Sequence, residues 1–162
     1  MRAAVFLTAL FATALPAAAQ DIPGTEFTFG LWRGAAQSDA AGAFTHCYAT
    51  LVFAGGDQLW INVSAKERVE VIFSFVKQSY RPDQTFQASL MLESGLPTHG
   101  EAQALGGSLI SFNMAPVDDA HAFLSQGNWL RLMGVGNDEA YDVRGLGGVL
   151  GEVRACRESQ RQ

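Results

Sequence analysis

The chain has 162 residues, with 11 basic and 16 acidic side chains and a formal net charge of −5. A phosphate-tracking nucleic-acid protein needs a basic face, so this mild acidity argues against nucleic acid as a partner. Only 17% of residues are charged and 48% are hydrophobic, a balance that excludes a disordered chain.

Met1–Gln20 reads as a secretory signal peptide. Arg2 forms a short positive region, an apolar run follows from Ala3 to Leu15, and Pro16 and Ala17-Ala18-Ala19 make the cleavage signature. The run is too short for a membrane span, and no later apolar stretch reaches the length of one. No lipobox cysteine follows it. Residues 21–162 are then a single exported domain with no transmembrane segment, placed first in the periplasm of a bacterium and otherwise beyond the outer membrane. Its formal charge, 10 basic minus 16 acidic, is −6.

Phe27, Phe29 and Leu31 alternate with smaller residues and predict a first strand through Trp32 and Arg33. Gly34–Gly42 is small, polar and turn-like. Thr45–Phe53 is a second strand, closed by a Gly55-Gly56-Asp57 hairpin turn. Leu59–Val63 and Val69–Val76 are β-branched and aromatic strands on either side of the polar Ala65–Arg68 turn. Four strands so spaced predict an antiparallel meander.

Tyr80-Arg81-Pro82-Asp83 reads as a loop, because Pro82 lacks a ladder donor. Thr85–Leu92 is a fifth strand, Glu93–Gly100 an exposed loop, His99–Leu105 a weak strand and Leu109–Phe112 a short apolar one. Ala120, Phe123 and Leu124 have helical spacing behind an expected cap at Asp118 or Asp119, predicting a helix near 118–126 that Gly127 closes. Trp129–Met133 and Ala140–Val143 are strands. Leu146, Val149, Leu150 and Val153 form a helical stripe that Cys156 extends, predicting a helix near 146–157 in which Gly151 marks a close approach to the sheet. The fold class is therefore mainly β, an antiparallel sandwich or meander with two short helices.

An even cysteine count without C-x-x-C, in an exported chain, predicts one structural disulfide between Cys47 and Cys156. His46 precedes Cys47 directly, but neighbours on a strand point to opposite faces, so a Cys–His nucleophile is disfavoured. The three histidines, His46, His99 and His121, share no local motif, and no nucleophile elbow or phosphate-binding loop occurs. Asp118, Asp119 and His121 have metal-ligand chemistry, but the stronger reading is that the acidic residues serve the dipole at a helix N-terminus. No catalytic residue, metal ligand or cofactor is assigned. Trp32, Trp60 and Trp129, with Asp118 and His121, are the candidate binding residues; the tryptophans make a carbohydrate or peptide platform if exposed, and core or rim residues otherwise.

The stretch AFLSQGNWLRLMGVGNDEAYDVRGLGGVLGEVRAC, residues 122–156, resembles the invasion-associated locus B family of small exported alphaproteobacterial proteins. The order of elements carries the resemblance: a short helix, a strand, a turn, a strand, then glycine and a closing amphipathic helix. Phe27–Arg33, with Gly30 and Trp32, and then Cys47 suit the same layout. The resemblance implies a non-enzymatic envelope or host-interaction role, with no catalytic residues to carry over. The reading is an exported, non-catalytic interaction protein whose partner is another envelope or extracellular protein. A secreted hydrolase whose site is assembled from separated residues, and a protease inhibitor presenting the loop at 80–83 or 93–100, are the alternatives.

Overall fold

The structure, a computed structural model, describes residues 19–93 and 95–161. Apart from Ala19 and Gln20, the expected signal peptide lies outside the described residues. Eleven strands and two helices follow in order: β1 (Gln20–Asp21), β2 (Phe27–Phe29), β3 (Trp32–Ser38), β4 (Phe44–Val52), β5 (Gln58–Ser64), β6 (Arg68–Ser74), β7 (Thr85–Leu92), β8 (Thr98–Gly106), β9 (Leu109–Pro116), α1 (Val117–Leu124), β10 (Trp129–Met133), β11 (Ala140–Asp142) and α2 (Leu146–Ser159).

All strands belong to one antiparallel sheet in the order β1-β3-β4-β5-β6-β9-β8-β7-β10-β11, with β2 pairing β3. The meander β3 to β6 is the one the strand spacing predicts. The chain then crosses to β7 and returns through β8 to pair β9 with β6, so the second half is laid down in reverse. Period-two alternation puts one side chain of each pair inside. On β5 the inner set is Leu59, Ile61 and Val63, and on β6 it is Val69, Val71 and Phe73. The predicted stripe Leu146, Val149, Leu150 and Val153 is buried, and it seats α2 on the inner faces of β3, β4 and β5.

The sheet curls until its far edge meets its middle. Tyr141 on β11 packs on Phe53, just past β4, with ring centroids 4.6 Å apart and the planes tilted by 43°. Cys47 on β4 and Cys156 on α2 form the predicted disulfide, with Cα atoms 6.2 Å apart and a sequence separation of 109. Among the described residues no helix is long and apolar enough to cross a membrane.

Four local expectations are corrected. The first strand is two, β2 and β3, joined through Gly30 at φ 61° and Leu31. The segment read as turn-like after Gly34 continues as strand to Ser38, because its small residues are a packing requirement. A Cβ at Gly34 would lie 2.2 Å from the Tyr48 carbonyl oxygen and 2.3 Å from the Phe27 ring. Neither Asp118 nor Asp119 caps α1: Pro116 holds that position, both acids lie in the first turn, and the helix ends at a Ser125 C-cap, two residues before Gly127. The close approach in α2 is at Gly148, where a Cβ would lie 2.2 Å from Phe29 Cζ, whereas Gly151 has open space.

Candidate functional site

The three tryptophans do not share a surface. Trp32 is 1% exposed, and its indole N–H donates to the Arg144 carbonyl oxygen at 3.2 Å, so it belongs to the core beneath the segment before α2. Trp129 is 46% exposed at the start of β10, beside a hollow that Glu93 and Arg131 also line. Trp60 is half-buried on the solvent face of β5.

Asp118 is exposed on α1 and pairs with Arg154 of α2 at 3.0 Å. His121 follows on the same helix, its Nδ1 3.5 Å from Ser125 Oγ. His99 is on β8, 2.8 Å from Ser89 Oγ of β7, and His46 is on the outer face of β4. The three histidines thus occupy three separate elements. Among the described residues no group of three or more His, Cys, Asp or Glu side chains is placed to hold a metal ion.

What the sheet does assemble is a groove of about 340 Å³ on its solvent face. Strand register builds its floor. Thr50 of β4 lies opposite Trp60 of β5, which lies opposite Ile72 of β6; one step along, Tyr48 lies opposite Asn62, and Glu70 beyond it falls outside the lining. Gln37, Gln58 and Val52 extend the floor, and Leu105 and Leu109 close it from the far side of β6. No Asp, Glu, Lys or Arg lines this groove. In a sheet with one solvated face, outward positions ordinarily carry charge, so an outward Trp60, Ile72 and Val52 depart from the pattern.

Its polar groups are held in defined states. Burial lowers the His46 pKa below the usual imidazole value, against the opposing influence of Glu70 and Asp21, and leaves the ring neutral near pH 7. The Tyr48 hydroxyl donates to Asp21 Oδ2 at 3.1 Å; burial first, then that bond, push its pKa up to about 12. A polar annex adjoins along His46, Asn62 and Glu70. There Glu70 accepts a hydrogen bond from Ser111 and another from the Asn62 amide nitrogen at 3.4 Å. Thr50 Oγ1 and Asn62 Oδ1 are shielded from solvent and have no protein partner.

A second, smaller hollow of about 200 Å³ lies at one end of the sheet, lined by Leu31, Val52, Phe53 and the paired Asp142 and Arg144. Leu31, at the β2–β3 turn, is 85% exposed, and Val52 is 61% exposed.

Sequence reasoning singled out Trp60 but not its groove. The available signal was the outward set of three consecutive strands, Tyr48-Thr50-Val52, Gln58-Trp60-Asn62 and Glu70-Ile72, which is unusually poor in charge. Reading it required knowing which strands are neighbours.

These features define a mainly antiparallel β protein with two helices packed on one curled, disulfide-stapled sheet. No protein-family model and no curated protein matches the sequence. Among solved structures, the fold is similar to that of invasion associated protein B from Bartonella henselae, at 14% identity and a TM-score of 0.55, covering 83% of this chain and 97% of that one. The resemblance read from residues 122–156 therefore holds at the level of fold.

Proposed function

We propose that the chain is an exported, envelope-associated interaction protein that works by binding another envelope or extracellular protein. The signal-peptide layout of residues 1–20 supports export, and the Cys47–Cys156 bridge suits an oxidising compartment, with the periplasm as the first assignment. The fold shared with the Bartonella protein is consistent with this reading.

The observation that carries it is the exposed apolar tip at one end of the sheet. Leu31 is 85% exposed and Val52 61% exposed around one hollow, rimmed by the Asp142–Arg144 ion pair. A contiguous apolar surface with a polar rim is the usual anatomy of a protein contact. Both residues sit on a strand or tight turn of a sheet to which a disulfide ties α2, so the surface is preorganised and little ordering entropy opposes docking. The hydrolase alternative draws less support: His46 shares a hollow with Glu70, but His99 lies four strands away on β8 and His121 on α1.

The test is affinity capture from a periplasmic extract with the tagged mature protein, beside the Leu31→Glu and Val52→Glu variants. A partner recovered by the wild type and lost with both variants, at unchanged melting temperature, is the expected result. Recovery of the same proteins by all three, or of none by the wild type, overturns the proposal.

A further inference from the structure

The solvent-face groove around Trp60 calls for a different ligand from the apolar tip. From its chemistry we infer that it is a binding site for a neutral saccharide, one or two rings long. Val52 borders both sites, and Leu31, which the groove lacks, tells them apart.

The lining combines three features that together select such a ligand. First, the half-buried indole of Trp60 stands at the centre of the Thr50–Trp60–Ile72 row, flanked by aliphatic Val52 and Leu109. A sugar ring has an apolar C–H face that packs on an aromatic surface, and an indole supplies such a surface at small entropic cost. Second, the polar groups around it are amides, hydroxyls and a neutral imidazole: Gln37, Gln58, Asn62, Thr50, Tyr48 and His46. Amides and hydroxyls both donate and accept hydrogen bonds, as do the hydroxyl groups of a sugar rim. Third, no side chain of fixed charge lines the groove. An anionic ligand would meet no cation here, and the bordering carboxylates of Asp21 and Glu70 already accept hydrogen bonds from Tyr48, Asn62 and Ser111.

The groove floor itself is incompletely satisfied. Thr50 Oγ1 and Asn62 Oδ1 are both shielded from solvent without a protein partner. Both belong to residues that line the groove, but neither oxygen opens onto it, so an occupant reaches them only if the Thr50 or Asn62 side chain turns outward. The volume of about 340 Å³ lies at the small end of ligand sites and limits the occupant to a short saccharide. A purely aliphatic ligand would strand the three amides, which makes it the poorer match.

The experiment uses the purified mature chain with its disulfide intact. Maltose, cellobiose and N,N′-diacetylchitobiose are titrated separately, with glucuronate and a short-chain fatty acid as charged and aliphatic comparators. Binding is read by intrinsic tryptophan fluorescence and by amide chemical shifts. At least one neutral disaccharide is expected to give a saturable change, with shifts centred on Thr50, Trp60 and Asn62. Trp60→Ala should weaken it about tenfold or more, whereas Trp129→Ala should leave it unchanged. Gln58→Ala, a milder change at the groove edge, should also weaken binding and serves if Trp60→Ala fails to fold. Leu31→Glu should bind saccharide as the wild type does, which separates this inference from the protein contact. No saturable change with any of the three disaccharides overturns it. Shifts confined to a surface away from Trp60, or tighter binding of the fatty acid, overturn it as well.

Discussion

Tyr141 donates its hydroxyl proton to Asp57 Oδ2 at 2.6 Å, joining β11 to the β4–β5 turn across 84 residues of sequence. The other oxygen of the same carboxylate accepts the Val76 N–H at 2.8 Å, and Asn137 donates to the Tyr141 oxygen at 2.8 Å. Burial first, then the Asp57 bond, push the Tyr141 pKa well above the ordinary phenol value, so the group remains a donor throughout the physiological range. This bond closes the curl of the sheet where no backbone ladder does.

Tyr141→Phe keeps the ring that packs on Phe53 and removes only the hydroxyl. Bonds to a charged acceptor contribute about 1.5–3 kcal/mol, so urea unfolding should show a lower midpoint at an unchanged m-value. An unchanged midpoint would show that the curl is held by packing alone.

Removing the bridge with Cys47→Ala and Cys156→Ala together should cost up to about 4–5 kcal/mol, the chain-entropy value for a loop of this length. Thiol titration of the denatured, unreduced wild type should find no free cysteine, in agreement with the Cys47–Cys156 bond. Two reactive thiols in freshly purified protein would refute the pairing.

The glycines of α2 should respond in opposite directions. Gly151 has open space where a Cβ would go, so Gly151→Ala should stabilise by roughly 1 kcal/mol through helix propensity alone. Gly148 lies under the Phe29 ring, with 2.2 Å from an added Cβ to Cζ, so Gly148→Ala must displace that ring from its seat. Its propensity gain should be offset or reversed in thermal melts. Equal stabilisation by both substitutions would contradict the packing described for β2.

Glu67 predicts an acid-dependent contribution. Hydrogen bonds from Arg157, at 2.7 Å, and then from Arg161 hold its carboxyl below the ordinary glutamate value. A carboxylate whose folded pKa is depressed stabilises the fold fully above its unfolded pKa, and the benefit is lost as pH falls through the folded value. The melting-temperature gap between wild type and Glu67→Gln should therefore be constant above about pH 5.5 and shrink below pH 4.5. The variant also leaves Arg157, only 4% exposed, without its carboxylate partner. A gap that widened on acidification would disprove the assignment.

The sequence by itself determined the local periodicities and therefore the elements. Alternation marked β4, β5, β6 and β7, the 3,1,3 spacing marked α2, and export with two cysteines marked the bridge. Each of these signals is carried by residues a few positions apart or by cysteine count, so each survives without knowledge of the fold. Tertiary structure alone decided that β9 returns to β6, that Trp32 is core while Trp60 looks into a groove, and that the small residues after Gly34 are strand. Facing is relative to neighbours: an indole on an alternating strand lies inside or outside according to which side α2 covers, and a glycine is a turn or a close approach according to whose ring lies above it. The charge balance that argued against nucleic acid at the outset is likewise a whole-chain property. The uncharged groove on β4–β6 is a property of one face, and it exists only once the strands are in register.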